Sequence, residues 1–165
     1  MKLFTIVFVI ISLALGSNAR ELENLMGTPM QNCLNCLCHA RSGCYSRFNC
    51  ARYSISREYW EQAGSFSPDT SSNLDQAYRA CMVNENCILN TLKTYTEQYG
   101  ERDCNCDGIF DCKDRLAIHL FNDDCTNPKY GETYSRRFND CAQQIGVTNM
   151  SPSEGSCDIP EVDPS

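Results

Sequence analysis

Cys33-Leu34-Asn35-Cys36-Leu37-Cys38-His39-Ala40-Arg41-Ser42-Gly43-Cys44 concentrates four of the chain's thirteen cysteines in one short stretch. Such a cluster is either a disulfide frame or a zinc knuckle. Zinc takes thiolate and imidazole ligands, and this sequence has only two histidines, His39 and His119. Cysteines carried through an oxidising export route pair with one another instead, and that reading is preferred. The residues just upstream supply the local structure. Thr28 suits an N-cap, Pro29 suits the first helical position, and Gln31 stands where a capping box needs it. A helix is expected from there to about Ala40, stopping near Gly43.

Export is what the first residues predict. Lys2 precedes an apolar run from Leu3 to Leu15, and Ser17-Asn18-Ala19 offers small residues for cleavage before Arg20. The run is too short to span a bilayer, which needs roughly 20 residues. The expected organisation is a signal peptide over residues 1–19, one domain over 20–146 and a disordered tail over 147–165. The protein is expected outside the cell, with no membrane partner. Removing the signal leaves 13 basic against 21 acidic residues, a net charge of −8. That balance repels nucleic acid and anionic surfaces, so no nucleic-acid partner is expected. An odd cysteine count leaves one thiol free or paired between chains. Nothing in the sequence sets the oligomeric state.

Further along, Ser54 to Gly64 has a short helical look and carries Tyr59 and Trp60. Residues 64–72 read as a loop by composition. Leu74 to Met82 is a short helix. Asn84-Glu85 opens the strongest one, in which Ile88, Leu89, Leu92, Tyr95 and Tyr99 form a core-facing stripe. Arg115 to Phe121 and Glu132 to Ile145 complete the set, the last with Tyr134, Phe138 and Cys141 on one face. Between Cys44 and Ser54 there is room for one small hairpin at most. The fold class is α+β, mainly helical and disulfide-rich. Asn149-Met150-Ser151 is a glycosylation sequon weakened by Pro152.

One segment has the spacing of a calcium loop. From Asp103 to Asp114, oxygen-bearing side chains occupy loop positions 1, 3, 5, 9 and 12, as Asp103, Asn105, Asp107, Asp111 and Asp114. Gly108 sits at the sharp turn, the Ile109 carbonyl is a sixth oxygen, and Phe110 is the apolar position. Hard oxygens on this spacing can wrap one Ca²⁺, in a structural and not a catalytic role. The plainer reading is a polar turn cross-linked by its cysteines and capped by Asp114.

Several segments together resemble the invertebrate-type lysozyme and destabilase family. Its opening motif, Cys-Leu-x-Cys-Ile-Cys-x-x-x-Ser-Gly-Cys, is matched from Cys33 to Cys44. Its Cys-Gly-x-Phe-x-Ile, followed by Tyr-Trp and a Gly, is matched by Cys50-Ala51-Arg52-Tyr53-Ser54-Ile55, Tyr59-Trp60 and Gly64. Its Cys-x5-Cys is Cys81 to Cys87, and insect members also resemble Asp103–Asp114 and Ile118-His119. The resemblance implies a small lysozyme-like domain and the short bridges Cys38–Cys44 and Cys81–Cys87. Two further family cysteines are replaced, by Ala63 and Thr91, as loss of one disulfide would look. Cys50 has lost its family partner, and Cys106 and Cys157 look like additions.

What the resemblance implies about activity is qualified by the departures. Family lysozymes hydrolyse peptidoglycan with two carboxylates, one acting as a protonated acid. The acid is a Glu just before Ser-Gly-Cys; here that position is Arg41, a permanent cation near neutral pH. The segment holding the second carboxylate, and the Ser proposed for isopeptidase action, is reduced to residues 45–49 and contains no acid. His119 falls near the family's His without its partner. Glu58, Glu61, Asp69 and Asp75 are the carboxylates nearby in sequence that could stand in. The expected function is therefore non-catalytic binding of bacterial cell-wall glycan or another carbohydrate, in defence or digestion. Arg41, Tyr53, Tyr59, Trp60 and His119 are the expected groove residues. The alternatives are a working muramidase with displaced carboxylates and, third, an isopeptidase.

Overall fold

The structure, a computed structural model, describes residues 21–43, 55–69, 73–104, 108–122, 124–125 and 132–146. Six helices lie among them: α1 Pro29–Ser42, α2 Arg57–Gln62, α3 Leu74–Met82, α4 Glu85–Glu97, α5 Cys112–Phe121 and α6 Glu132–Ile145. The domain is mainly helical, with no strand among the described residues. The expected hairpin, Tyr53, Cys44, Cys50, the signal segment and the tail all lie outside the described residues.

The helix ends follow from their sequences. Thr28 Oγ1 accepts from the Gln31 N–H at 3.2 Å. Gln31 reaches back one residue further than a capping box requires, accepting from the Gly27 N–H at 2.6 Å. Gly43 ends α1 in the left-handed region, φ 75°, with its N–H on the His39 carbonyl. Ser56, Asn73 and Asn84 cap α2, α3 and α4. Helix α5 starts earlier than its apolar pattern suggests. Asp111 is its N-cap and Asp114 closes the capping box from the third helical position, so Asp114 lies within the helix and does not begin it.

The core is built around α1, which packs most closely against α6 and also meets α4 and α5. Leu34, Leu37, Trp60, Ile88, Leu92, Leu116 and Phe138 are at most 1 % exposed, each burial contributing roughly 1.5–3 kcal/mol. The α4 stripe is core as its spacing implies; Tyr99 packs against it from just beyond the helix. Two disulfides fix α1: Cys33–Cys112 joins it to α5, and Cys36–Cys141 joins it to α6. Cys81–Cys87 forms as the resemblance implies, and Cys104–Cys125 closes a small second cluster with Ala117 and Ile118. Cys38 is also disulfide-bonded. Where the family has cysteines, Ala63 and Thr91 are fully buried, and Thr91 Oγ1 donates to the Cys87 carbonyl at 2.9 Å. Arg115, nearly buried, ties α5 to α4 through Thr96 Oγ1 at 2.9 Å and Glu97 at 2.8 Å.

Candidate functional site

The C-terminal turn of α1 carries Arg41 to the surface beside α6. Its Nη1 donates to the Tyr134 hydroxyl at 3.0 Å, with the guanidinium 5.9 Å from the ring centroid. One turn further along α6, Arg137 lies over Gly43. A Cβ at Gly43 would sit only 2.9–3.1 Å from the Arg137 guanidinium atoms. Gly43 is required by its positive φ, and a side chain there would also push the flexible Arg137 guanidinium aside.

His119, in the last turn of α5, is buried behind this surface. Its Nδ1 meets the Tyr59 hydroxyl at 3.0 Å, and Nε2 is buried with no partner among the described residues. Burial, and then the charge of Arg41, lower the imidazole pKa from its ordinary 6.5 to about 4. Burial first, then Tyr95 and Tyr99, push the Tyr59 phenol well above its ordinary 10. At neutral pH both partners are uncharged, and the pair shares one neutral hydrogen bond. The expected loss of the family histidine's partner is therefore answered by Tyr59 on α2.

Tyr59 also borders a shallow cleft of about 240 Å³, lined by Ser56, Glu58, Tyr59, Gln62, Tyr95 and Asn122. Tyr59 and Tyr95 stack with ring centroids 3.5 Å apart and planes 16° from parallel. Tyr95 donates to Asn122 Oδ1 at 2.6 Å. Asn122 ends α5 at φ 57°, ψ −127°, a backbone conformation that favours glycine. Such an outlier at a cleft is held by its surroundings, here the Tyr95 hydroxyl and the N–H bond to the Ile118 carbonyl.

Of the expected groove residues, Arg41 is exposed, Tyr59 reaches the cleft edge, and His119 stands behind Tyr59. Trp60 is corrected: it is 0 % exposed, its indole N–H donates to the Phe66 carbonyl at 2.8 Å, and it belongs to the core. Tyr134, Arg137 and Asn122 enter unannounced. Tyr134 was expected on the apolar face of its helix, and its link to Arg41 spans 93 residues. Asn122 did carry a faint signal, since Asn tolerates positive φ at a helix end better than most residues.

The nearby carboxylates have separate lives. Glu61 Oε1 and Asp75 Oδ1 both bind the Arg57 guanidinium, the first at 2.7 Å from Nε, and both are substantially exposed. Glu58 lines the cleft and accepts from Gln62 at 3.4 Å. Asp69 is exposed, away from the cleft lining.

In the 103–114 loop, Asp103 Oδ2 accepts from the Gly108 N–H at 2.7 Å. Asp114 is fully buried; its Oδ1 accepts from the Cys104 N–H at 2.7 Å and its Oδ2 from the Asp111 N–H at 2.8 Å. Lys113 Nζ lies 3.4 Å from Asp111 Oδ2. Phe110 packs against the second cluster, while the Ile109 side chain is exposed. Among the described residues no three His, Cys, Asp or Glu side chains converge as a metal site; Asn105 and Asp107 lie outside them.

No helix among the described residues is long and apolar enough to cross a membrane. Comparison with curated proteins and with solved structures returns no match. The destabilase family model matches residues 30–141, more than half the chain and all six helices except the first residue of α1 and the last four of α6. With this match laid over a helical, disulfide-framed domain, the chain belongs to the destabilase family, the family of the invertebrate-type lysozymes.

Proposed function

We propose that this protein is a secreted, non-catalytic destabilase-family member that binds peptidoglycan or a related glycan. The observation that carries the reading is Arg41. At the position matching the family's acid stands a fixed cation, held by Tyr134 and close enough to depress His119. Neither Arg41 nor a histidine that gains its proton only near pH 4 supplies an acid at neutral pH. The cleft offers the Ser56 hydroxyl and the Gln62 and Asn122 amides, polar groups suited to sugar hydroxyls, over a floor of two buried tyrosines that stack on each other. Secretion is supported by the disulfide frame, a bond type that persists in oxidising compartments.

A working muramidase is the second reading, favoured by Glu58 alone, which places one carboxylate in the cleft. Isopeptidase action stands lower: a phenol pushed above its ordinary pKa is a poor nucleophile beside His119. Purified bacterial cell walls separate the readings. Sedimentation of the protein with the walls, without loss of turbidity, is the expected result. Clearing that disappears in Glu58→Gln would replace binding by catalysis.

We also propose the 103–114 loop as a weak structural calcium site, supported by its oxygen spacing and by the Asp103 bond that shapes the turn at Gly108, with Asp114, whose oxygens hold the Cys104 and Asp111 N–H groups, bracing the loop in place of ligating. Calorimetry at millimolar Ca²⁺ is expected to show binding; no heat there ends the idea.

A further inference from the structure

We infer that Arg41 and Arg137 form a carboxylate-reading fork at the α1–α6 seam, which makes the protein select acidic sugars over neutral ones. This rests on the glycan-binding reading and names the ligand class.

Both guanidinium groups are placed by the fold. Arg41 is anchored by the Tyr134 hydroxyl and ring. Arg137, half-buried and one helical turn from Tyr134, lies on the Gly43 backbone, where any side chain at Gly43 would displace it. Gly43 ends the helix that carries Arg41, so the two cations share one short stretch of seam. The C-terminal end of α1 faces them with its negative dipole, which favours cations there. Among the described residues their only polar partner is Tyr134, although the chain has 21 acidic residues. Among the described residues, carboxylates pair with Arg57, Lys93, Lys113 and Arg115.

Two like charges on one seam repel each other, and an anion bound there relieves the repulsion. Each guanidinium carries five N–H donors in a planar fork that matches a carboxylate. Arg41 has one of its donors committed, to Tyr134. A sugar carboxylate is the ligand whose shape and charge answer this pair.

The test compares two oligosaccharides that share N-acetylglucosamine and differ in charge: a hyaluronan tetrasaccharide, with glucuronate carboxylates, and neutral chitotetraose. Calorimetry on the full mature chain is expected to give at least tenfold tighter binding of the acidic probe, weakening as salt rises. Arg137→Gln and Arg41→Gln are each expected to remove most of the preference. Arg137→Lys should fall between, because it keeps the charge and loses the fork. Thermal melts of the variants guard against misfolding. Equal binding of both probes, or a preference that survives Arg137→Gln, overturns the fork and leaves glycan binding standing. Binding of neither probe, with no capture by cell walls, overturns glycan binding itself.

Discussion

At the scale of single residues, the Tyr59–His119 pair makes a pH prediction with a definite sign. The folded imidazole protonates only near pH 4, while the unfolded one does so near 6.5. Between those values the unfolded chain binds more protons, so stability falls as pH drops through that window and levels off below it. Full depression would amount to about 3 kcal/mol. Urea unfolding at pH 7, 5.5 and 4 should show this loss, and His119→Gln should remove that part of the slope. Tyr59→Phe leaves a buried ring nitrogen without its partner and should cost about 1–3 kcal/mol at pH 7. Asn122 allows a second comparison. Its backbone conformation is strained for any residue with a Cβ, by about 1–3 kcal/mol. Asn122→Gly should therefore be more stable than Asn122→Ala by about that amount in thermal melts, although both lose the Tyr95 bond. Arg41 was legible in the sequence because it stands inside a motif whose spacing fixes its place. Tyr134 and Arg137 were not, because what brings them to Arg41 is the packing of two helices far apart in sequence.

At the scale of elements, caps and periodicity marked the helices well. Leu74–Met82 and Glu132–Ile145 have the bounds their patterns suggest, the first opened by Asn73 as its N-cap and the second followed by Gly146 at positive φ. Helix α5 was misjudged at its start, because Asp111 and Asp114 were assigned to a cation loop when they also form a capping box. Trp60 was misjudged for a related reason: an aromatic on a short helix looks the same in sequence whether it faces a groove or the core. The disulfides allow a test of how α1 is held. With Cys33–Cys112 intact, the loop closed by Cys36–Cys141 is roughly thirty residues, for which chain entropy gives about 3–4 kcal/mol. Cys81–Cys87 closes a loop of separation 6, worth about 2 kcal/mol. Denaturation of the two paired Cys→Ser variants should rank them in that order. Equal losses would mean that native-state packing, and not chain closure, sets their contribution.

At the scale of the whole molecule, the family was legible because cysteine spacing is a record of three-dimensional neighbours. The pairings were only partly so, since spacing alone does not say which cysteine meets which. The cleft was less legible still: it draws on α2, α4 and the end of α5, and no single segment announces it. The arrangement of the frame also bears on how the chain is made. Cys33, Cys36 and Cys38 lie within two turns of one helix, yet the partners of the first two come 79 and 105 residues later. On the proposed export route into an oxidising lumen, the thiols of Cys33 and Cys36 meet Cys81 and Cys87 before their own partners are made. Early mispairing is built into that order of synthesis. High yield then depends on an isomerase that can reopen those first bonds, and expression in a reducing cytosol should return the chain mostly as inclusion bodies.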